Sequence, residues 1–270
     1  MGFLSLLKKF KKQPKPIKLG LALGSGGAKG FAELGAIRAF EENGITFDYI
    51  AGTSIGSIVG AFYANGYTST DILEMLKTIE FGDVRNGFMI NMDTSGLFNV
   101  IDKSIGSLNI EELKKPFRAV ATELETGDEY VFSSGKVATA LVASSSYPPF
   151  FKPVVIDNKR YIDGAFTNSV PADLVRELGA DYVVGIDLSN HQPKTGGLLD
   201  KIFPTYQGKV EEPWKKGYEN SDVMLHPDLS DYKPISFGAG SVMYDIGYEC
   251  AIENMPKILK DLENLKKTKK

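Results

Sequence analysis

Apolar residues along this chain form short strand-like runs that alternate with stretches of helical spacing. The segments 17–24, 46–52 and 180–189 are short and rich in apolar residues, which is typical of buried strands. Residues 30–43 and 55–65 instead repeat apolar side chains at helical spacing and stop near a glycine, as helices commonly do. Strands that alternate with helices predict an α/β fold, which we expect to be a three-layer α/β/α sandwich with a mostly parallel central sheet.

The rest of the chain continues this alternation, apart from two stretches that are rich in turn residues. These stretches are 80–110, which we interpret as a lid-like excursion, and 191–240. The other predicted elements are a helix near 69–79, strands over 117–124 and 130–132, a helix over 136–146, a hairpin over 154–165 that turns at Asp157 and Asn158, a helix over 172–178, and a last helix over 244–267 that we expect Pro256 to interrupt.

The composition fits an ordinary globular protein and favours no highly charged partner. Of 270 residues, 43% are hydrophobic and 24% are charged, and the net charge is −3, so nothing suggests nucleic acid as a partner. Cys250 is the single cysteine, which excludes a disulfide within the chain and fits a reducing, cytoplasmic location. No apolar run reaches the length of about 18 residues that a membrane-spanning helix needs.

The N-terminal stretch, residues 1–16, mixes apolar residues with lysines and admits two interpretations. As an amphipathic helix it would rest on an anionic bilayer, giving a peripheral contact at the inner membrane face. As a solvated basic arm it would end at Pro14 and Pro16 without contacting lipid. A signal-peptide cleavage site is missing, and Leu6 stands where the myristoylation pattern requires Ser or Thr.

The sharpest chemical signal is a G-x-S-x-G motif formed by Gly52, Ser54 and Gly56. It lies where a predicted strand gives way to a predicted helix, the context in which such a serine is a nucleophile. The turn would hold the serine hydroxyl above the sheet, and the glycines would let strand and helix approach closely. In the alternative interpretation, Ser54 only caps the helix that follows.

A second glycine-rich turn, from Gly24 to Gly30, also joins a predicted strand to a predicted helix. Such turns bind a dinucleotide pyrophosphate or present N–H groups to an oxyanion. A dinucleotide site needs an acidic residue at the end of the second strand, where this chain has Ser54 and its glycines. A P-loop is excluded as well, because no Gly-Lys-Ser/Thr follows at the required spacing. We therefore favour an oxyanion hole made by the N–H groups of Gly26 and Gly27.

A serine nucleophile needs a base, and histidine is the usual choice. His191 and His226 are the two histidines, and both lie in loop-like sequence that does not obviously aim them at Ser54. Asp163 is the better candidate, because it ends an apolar strand and precedes Gly164, and because burial raises the proton affinity of a carboxylate. Two alternatives stay open: Asp163 and Gly164 form only a turn, or a histidine completes a triad.

Several ordered segments together resemble the bacterial patatin-like phospholipases over roughly residues 17–190. The segments are LALGSGGAKG, AGTSIGSIVGA, VATELETGDEYVF, ASSSYPPFFKPVVIDNKRYIDGAFTNSVP and LGADYVVGIDLS. The sequence departs from the family pattern at Ser25 and Ala165, where other members have glycine. Both replacements are small, so they weaken only claims about the detailed loop geometry.

The resemblance implies the patatin fold and a Ser–Asp dyad without a catalytic histidine. By matching motifs, Ser54 is the nucleophile, Asp163 is the base, and Gly26 and Gly27 form the oxyanion hole. It also implies hydrolysis of fatty-acyl esters of phospholipids or related lipids, without a metal ion or other cofactor. The apolar residues of the 80–110 stretch then have two interpretations, an entrance for the acyl chain or ordinary core.

We divide the chain into a basic arm at 1–16, a patatin-like catalytic domain at 17–190, and a C-terminal extension at 191–270 that packs on the same domain. Two other functions fit the same motifs. An acyltransferase would use the same dyad with an alcohol or thiol in place of water, and a non-catalytic regulator would keep the fold only to bind lipid. The oligomeric state does not follow from the sequence.

Overall fold

A single mixed sheet forms the centre of the protein. The computed structural model describes residues 15–78, 93–189 and 212–269. Within these residues, the strands are β1 (Leu19–Leu23), β2 (Tyr49–Thr53), β3 (Phe117–Glu123), β4 (Glu129–Phe132), β5 (Val154–Ile156), β6 (Lys159–Asp163), β7 (Tyr182–Ile186) and β8 (Val223–Leu225). Hydrogen-bonded neighbours follow the order β5-β6-β3-β2-β1-β7-β8, and β4 also pairs with β3.

Helices cover both faces of this sheet. They are α1 (Phe31–Glu42), α2 (Ile55–Ala64), α3 (Ser69–Thr78), α4 (Ser95–Ile105), α5 (Val137–Ser144), α6 (Ala172–Glu177), α7 (Lys215–Asn220) and α8 (Gly240–Thr268). Side chains alternate across each strand, so Leu21 and Leu23 of β1 enter the larger core with α1, α2, α3, α5 and α8. Ala22 enters a smaller core with α6 on the other face. The predicted three-layer α/β/α sandwich is therefore confirmed.

Parallel strands make up the middle of the sheet. β1 pairs in parallel with β2 and β7, β2 with β3, and β7 with β8. The pairs β3–β4, β3–β6 and β5–β6 are antiparallel. The carboxyl ends of β1 and β2 consequently lie side by side, and ligands bind beyond the carboxyl ends of the strands in α/β folds.

Strands β2 and β6 lie in succession along the same edge of β3. Val120 pairs with Thr53 of β2 and with Val131 of β4, whereas the next residue, Ala121, pairs with Asp163 of β6 and with Tyr130 of β4. Since β4 takes one edge of β3, β2 and β6 must share the other. β2 runs parallel to β3 and β6 runs antiparallel, so their carboxyl ends meet at this point.

The last helix differs from its prediction. α8 runs without a break from Gly240 to Thr268 with Pro256 inside it, so the expected interruption at Pro256 is wrong. Proline removes one N–H and its ring crowds the carbonyl one turn earlier, here that of Ile252. Ile252 is an exposed residue of this helix, where water can satisfy the freed carbonyl. The hairpin turn is confirmed at Asp157 and Asn158, whose φ angles are 49° and 63°.

Other expectations concern residues that the structure does not describe. Residues 1–14 of the N-terminal arm, residues 80–92 of the proposed lid and His191 lie outside the described ranges. The described part of the 80–110 stretch contains helix α4, whose Ile101 and Ile105 are buried in the larger core, so this part is ordinary core rather than a lid-like excursion. Across the ranges that are described, no helix combines the length and the apolar character that crossing a membrane requires.

Helices α1 and α8 cross with their backbones in contact at two glycines. A Cβ on Gly35 would lie 1.9 Å from the carbonyl oxygen of Tyr244, and a Cβ on Gly247 would lie 1.9 Å from that of Ala32. No real side chain tolerates such a distance to backbone, so the two helices would have to separate. The small residues therefore set how closely α8 docks on α1.

We predict that Gly247→Ala lowers the free energy of unfolding by about 1–3 kcal/mol, because it overpacks this crossing. Gly96→Ala in α4 is the matched control, since nothing lies within 4 Å of a Cβ placed there. Alanine is the better helix former, so the control should be neutral or slightly stabilising. Urea unfolding measures both, and equal stability of the two variants would contradict the close crossing.

Candidate active site

Ser54 occupies a sharp turn between β2 and α2. Its φ and ψ angles are 56° and −126°, a backbone conformation that costs a residue with a side chain about 1–3 kcal/mol. The turn also requires its glycines: a Cβ on Gly52 would lie 2.2 Å from the carbonyl oxygen of Gly56, and one on Gly56 would lie 2.5 Å from that of Leu23. The Ser54 side chain makes no capping hydrogen bond to α2, so the alternative in which it only caps this helix is wrong.

The backbone of Ser54 is held on both sides by other serines. Its N–H donates to the Ser144 hydroxyl oxygen at 2.9 Å, and its carbonyl oxygen accepts a hydrogen bond from the Ser57 hydroxyl at 2.6 Å. Both partners are fully buried. These contacts fix the peptide groups and leave the Ser54 hydroxyl itself available.

Asp163 lies at the carboxyl end of β6 and is completely buried. Its Oδ1 accepts the N–H of Ala165 at 2.8 Å, so it does form the turn that the sequence suggested. Its Oδ2 has no hydrogen-bond partner of standard geometry among the described residues. One carboxylate oxygen therefore builds the turn and the other is left for a further donor.

Burial raises the pKa of the Asp163 carboxyl to about 7. The nearby Ser54 hydroxyl and the Ala165 N–H act in the opposite direction and lower this pKa. The Ser54 hydroxyl thus interacts with the carboxyl although no hydrogen bond of standard geometry joins them. Such contacts are often loose when no substrate is bound. The structure brings together the predicted nucleophile and the predicted base.

The glycine-rich turn lies beside them at the end of β1. Gly27 has a φ angle of 58°, and a Cβ on this residue would lie 2.5 Å from the carbonyl oxygen of Pro234. The neighbouring N–H groups are occupied, since Ser25 donates to Ser169 at 3.0 Å and Ala28 donates to Pro234 at 2.7 Å. Among the described residues, the N–H groups of Gly26 and Gly27 have no acceptor. These are the two N–H groups that were predicted from the sequence to form the oxyanion hole.

The other motif glycines allow neighbouring segments of the chain to pack closely at the site. A Cβ on Gly24 would lie 2.6 Å from the carbonyl oxygen of Ile186, and one on Gly164 would lie 2.3 Å from that of Val120. A Cβ on Gly30 would lie 2.3 Å from the side chain of Ile55, the residue after Ser54. A larger residue at any of these glycines would push apart the segments that pack against it.

Of the two histidines, the structure describes only His226. Its side chain is 44% exposed, and its Nδ1 lies 3.9 Å from Oδ2 of Asp187, a buried residue just after β7. The Tyr218 hydroxyl also donates to this carboxylate, at 3.1 Å. His226 therefore belongs to a separate polar cluster at the end of a different strand.

An apolar recess opens between the glycine-rich turn and α2. Its volume is about 10 Å³, and it is lined by Gly27, Ala28, Phe31, Ile55, Leu76 and Phe237. A larger cavity of about 380 Å³ is lined by Arg118, Glu129, Val131, Ser133, Asp173, Leu174, Glu177 and Lys216, so it contains none of the candidate residues. The small recess thus adjoins Gly27, one of the two predicted oxyanion donors.

Two contributors to the site have no clear signal in the sequence. Pro234, in a stretch that reads only as turn residues, accepts the Ala28 N–H and covers Gly27. Ser144 belongs to the Ser-Ser-Ser run at 144–146, which marks the end of α5 but does not indicate which hydroxyl reaches Ser54.

Comparison with known proteins identifies the family. A profile described as patatin-like phospholipase matches residues 21–176. Among curated relatives, the chain is 26% identical over 85% of its length to neuropathy target esterase sws of Drosophila melanogaster. It is 29% identical over 86% of its length to patatin-like phospholipase domain-containing protein 7 of Mus musculus, and 26% identical over 88% of its length to lysophospholipase NTE1 of Mycosarcoma maydis.

Solved structures agree on the fold. VipD from Legionella pneumophila superimposes with a TM-score of 0.55 at 14% identity, over 90% of this chain and 67% of that one. The type III effector ExoU superimposes with a TM-score of 0.50 at 13% identity, over 90% of this chain and 54% of that one. At such low sequence identity, the superpositions show a shared fold and nothing about function.

This chain belongs to the patatin-like phospholipase family, because the family profile matches more than half of its length. It spans only 19% of the Drosophila relative and 20% of the mouse relative, which are much longer proteins. The resemblance noted in the sequence is therefore confirmed at the level of the family.

Asp163 should make the stability of the protein fall as pH rises. The pKa of the Asp163 carboxyl is about 7 in the folded protein and 3.8 without the folded surroundings. At pH values between these two, the folded state holds a proton that the unfolded state releases. The resulting slope is at most about 1.4 kcal/mol per pH unit. The raised pKa of buried Glu33 adds a loss of the same sign.

Urea unfolding between pH 4 and 7 isolates the Asp163 contribution when wild type is compared with Asp163→Asn, which keeps Glu33. The variant should lose less stability over this range than the wild type. Parallel curves would show that Asp163 titrates normally.

Proposed function

We propose that this chain is a serine acyl hydrolase that cleaves fatty-acyl esters of phospholipids or related lipids through a Ser54–Asp163 dyad. The observation that carries the proposal is the meeting of a strained serine with a buried carboxyl that has one oxygen free and a pKa near 7. Membership in the patatin-like phospholipase family supports the choice of substrate class. Several relatives carry names that state phospholipase or lysophospholipase activity.

The reaction begins with attack of the Ser54 oxygen on the ester carbonyl carbon. The hydroxyl proton passes to Oδ2 of Asp163, and the N–H groups of Gly26 and Gly27 stabilise the oxyanion. The tetrahedral intermediate then collapses, and the C–O bond to the leaving alcohol breaks as that alcohol takes the proton from Asp163. In the second half, Asp163 accepts a proton from water, whose oxygen attacks the carbonyl carbon of the acyl-enzyme. The C–O bond to Ser54 then breaks as the Ser54 oxygen takes the proton back from Asp163, and the fatty acid is released.

Burial of Asp163 is what allows a carboxylate to act as this base. A carboxylate with a pKa near 4 binds a proton too weakly to accept one readily from a serine hydroxyl. With its pKa near 7, Asp163 is half ionised at neutral pH and holds the transferred proton more strongly. The N-terminal end of α2 adds favourable electrostatics for the developing negative charge, with the Ile55 N–H as an additional donor.

The apolar recess supports an acyl substrate. Gly27 and Ile55 line it, so it starts beside both an oxyanion donor and the residue that follows the nucleophile. Its volume of about 10 Å³ corresponds to roughly one water molecule, so an acyl chain would enter it only if the lining side chains move apart. Apolar lining favours a hydrocarbon chain over a polar group at this end of the substrate.

Removing either member of the dyad tests the proposal. Ser54→Ala and Asp163→Asn should each lower kcat on a short-chain nitrophenyl ester by roughly 10⁴-fold, as expected for members of a catalytic pair. Ser54→Ala should also abolish labelling by a fluorophosphonate probe. His226→Ala is the matched control and should retain activity, because Asp163 rather than a histidine is the base.

Near-normal turnover by Asp163→Asn would remove the dyad, and a large loss in His226→Ala would instead favour a triad. Incubation of the wild type with a mixed lipid extract, followed by mass spectrometry, identifies the lipid that is cleaved. Adding an alcohol acceptor to the same reaction separates hydrolysis from acyl transfer.

A further inference from the structure

The end of helix α5 contacts both members of the proposed dyad. The Ser144 hydroxyl oxygen accepts the N–H of Ser54 at 2.9 Å. Two residues further on, the carbonyl oxygen of Ser146 accepts the N–H of Asp163 at 3.1 Å. Both serines are completely buried, so no water competes for these hydrogen bonds. One short turn therefore ties together the peptide groups of residues that are more than one hundred positions apart in the sequence.

The contact to Ser54 falls on the most strained residue of the site. The φ angle of 56° at Ser54 persists only if the surroundings hold the peptide in place. A buried N–H without an acceptor costs about 1–3 kcal/mol, which is comparable to the strain itself. The Ser144 hydroxyl supplies that acceptor from a different helix, so it stabilises the strained conformation relative to a relaxed one.

The three consecutive serines have different contacts. The Ser146 hydroxyl donates back to the carbonyl of Val142 at 2.7 Å, a local bond within the same helix turn. The Ser145 hydroxyl is buried and has no hydrogen-bond partner among the described residues. Ser144 is thus the member of the run whose side chain reaches the nucleophile.

We propose that Ser144 is a positioning residue for the reaction: its hydroxyl holds the Ser54 peptide in the conformation that presents the Ser54 oxygen to Asp163. This proposal rests on the proposed function and adds a residue that does not touch the substrate. Without the hydroxyl, Ser54 would sample relaxed conformations in which its oxygen no longer faces the carboxylate, while the substrate site stays intact. The loss should therefore appear in kcat rather than in KM.

The test uses the full chain with three single substitutions and a nitrophenyl ester of a short acyl chain. Ser144→Ala should lower kcat by roughly 10- to 100-fold with KM within about twofold of the wild type. The rate of fluorophosphonate labelling should fall by the same factor, since it depends on the same hydroxyl.

Ser144→Cys is the conservative variant, since sulfur is a weak acceptor of similar size. Its kcat should lie between those of the wild type and Ser144→Ala. Ser69→Ala is the control for lost stability. Ser69, the first residue of α3, is also fully buried, and its hydroxyl donates to Glu41 of α1 at 2.6 Å, outside the candidate site. It should lower the melting temperature to a similar extent and leave kcat unchanged.

Activity of Ser144→Ala within threefold of the wild type would overturn the role of Ser144 while leaving the dyad in place. An equal loss of kcat in Ser69→Ala at equal melting temperature would overturn it too, because the effect would then be one of general stability. If Ser144→Ala does not fold, the cysteine variant decides in its place, and wild-type activity there overturns the proposal. Turnover by Ser54→Ala would instead refute the proposed function itself.

Discussion

Strand β3 receives β2 and β6 one after the other along a single edge, and the rest of the site depends on this arrangement. Val120 pairs with the last residue of β2 and Ala121 pairs with the last residue of β6. Because the two strands point toward each other, each must leave the sheet where they meet. Ser54 lies in the turn after β2, and Asp163 is the residue at which β6 ends. Backbone hydrogen bonds therefore set the separation of the two side chains.

This meeting of strand ends also accounts for the electrostatics. Asp163 lies at the carboxyl end of β6, where it pairs with Ala121 of β3 and is fully buried. This burial is the main cause of its raised pKa. The glycines follow from the same crowding, since Gly164 lies against the carbonyl of Val120 and Gly52 against that of Gly56. A larger residue at either position would separate the strand ends, and with them the hydroxyl and the carboxyl.

The sequence predicted local features well because they depend on local chemistry. The G-x-S-x-G turn, the glycine-rich turn and the hairpin at Asp157 and Asn158 all rest on backbone conformations that only a few residue types adopt. The layered fold followed from the alternation of strands and helices. The interruption at Pro256 was wrong because burial of Met255 and Ile258 in the core and the exposed position of Ile252 outweigh the intrinsic cost of proline.

Features that depend on register could not be predicted in this way. Nothing in the residues of β3 specifies that β2 and β6 share one of its edges, and the strand order of a mixed sheet does not follow from periodicity. The acceptor for Ser54 from α5 and the cover over Gly27 from Pro234 join segments far apart in the chain. Such contacts become visible only when the strands have been placed.

The pH dependence of fluorophosphonate labelling of the wild-type chain examines the central claim most directly, because it reports the reactivity of Ser54 alone. If Asp163 is the base and its pKa is near 7, the labelling rate should rise about tenfold per pH unit below pH 7 and level off above it. A rate that is already constant from pH 5 upward would mean that the carboxyl is fully ionised there, which would contradict the raised pKa on which the dyad depends.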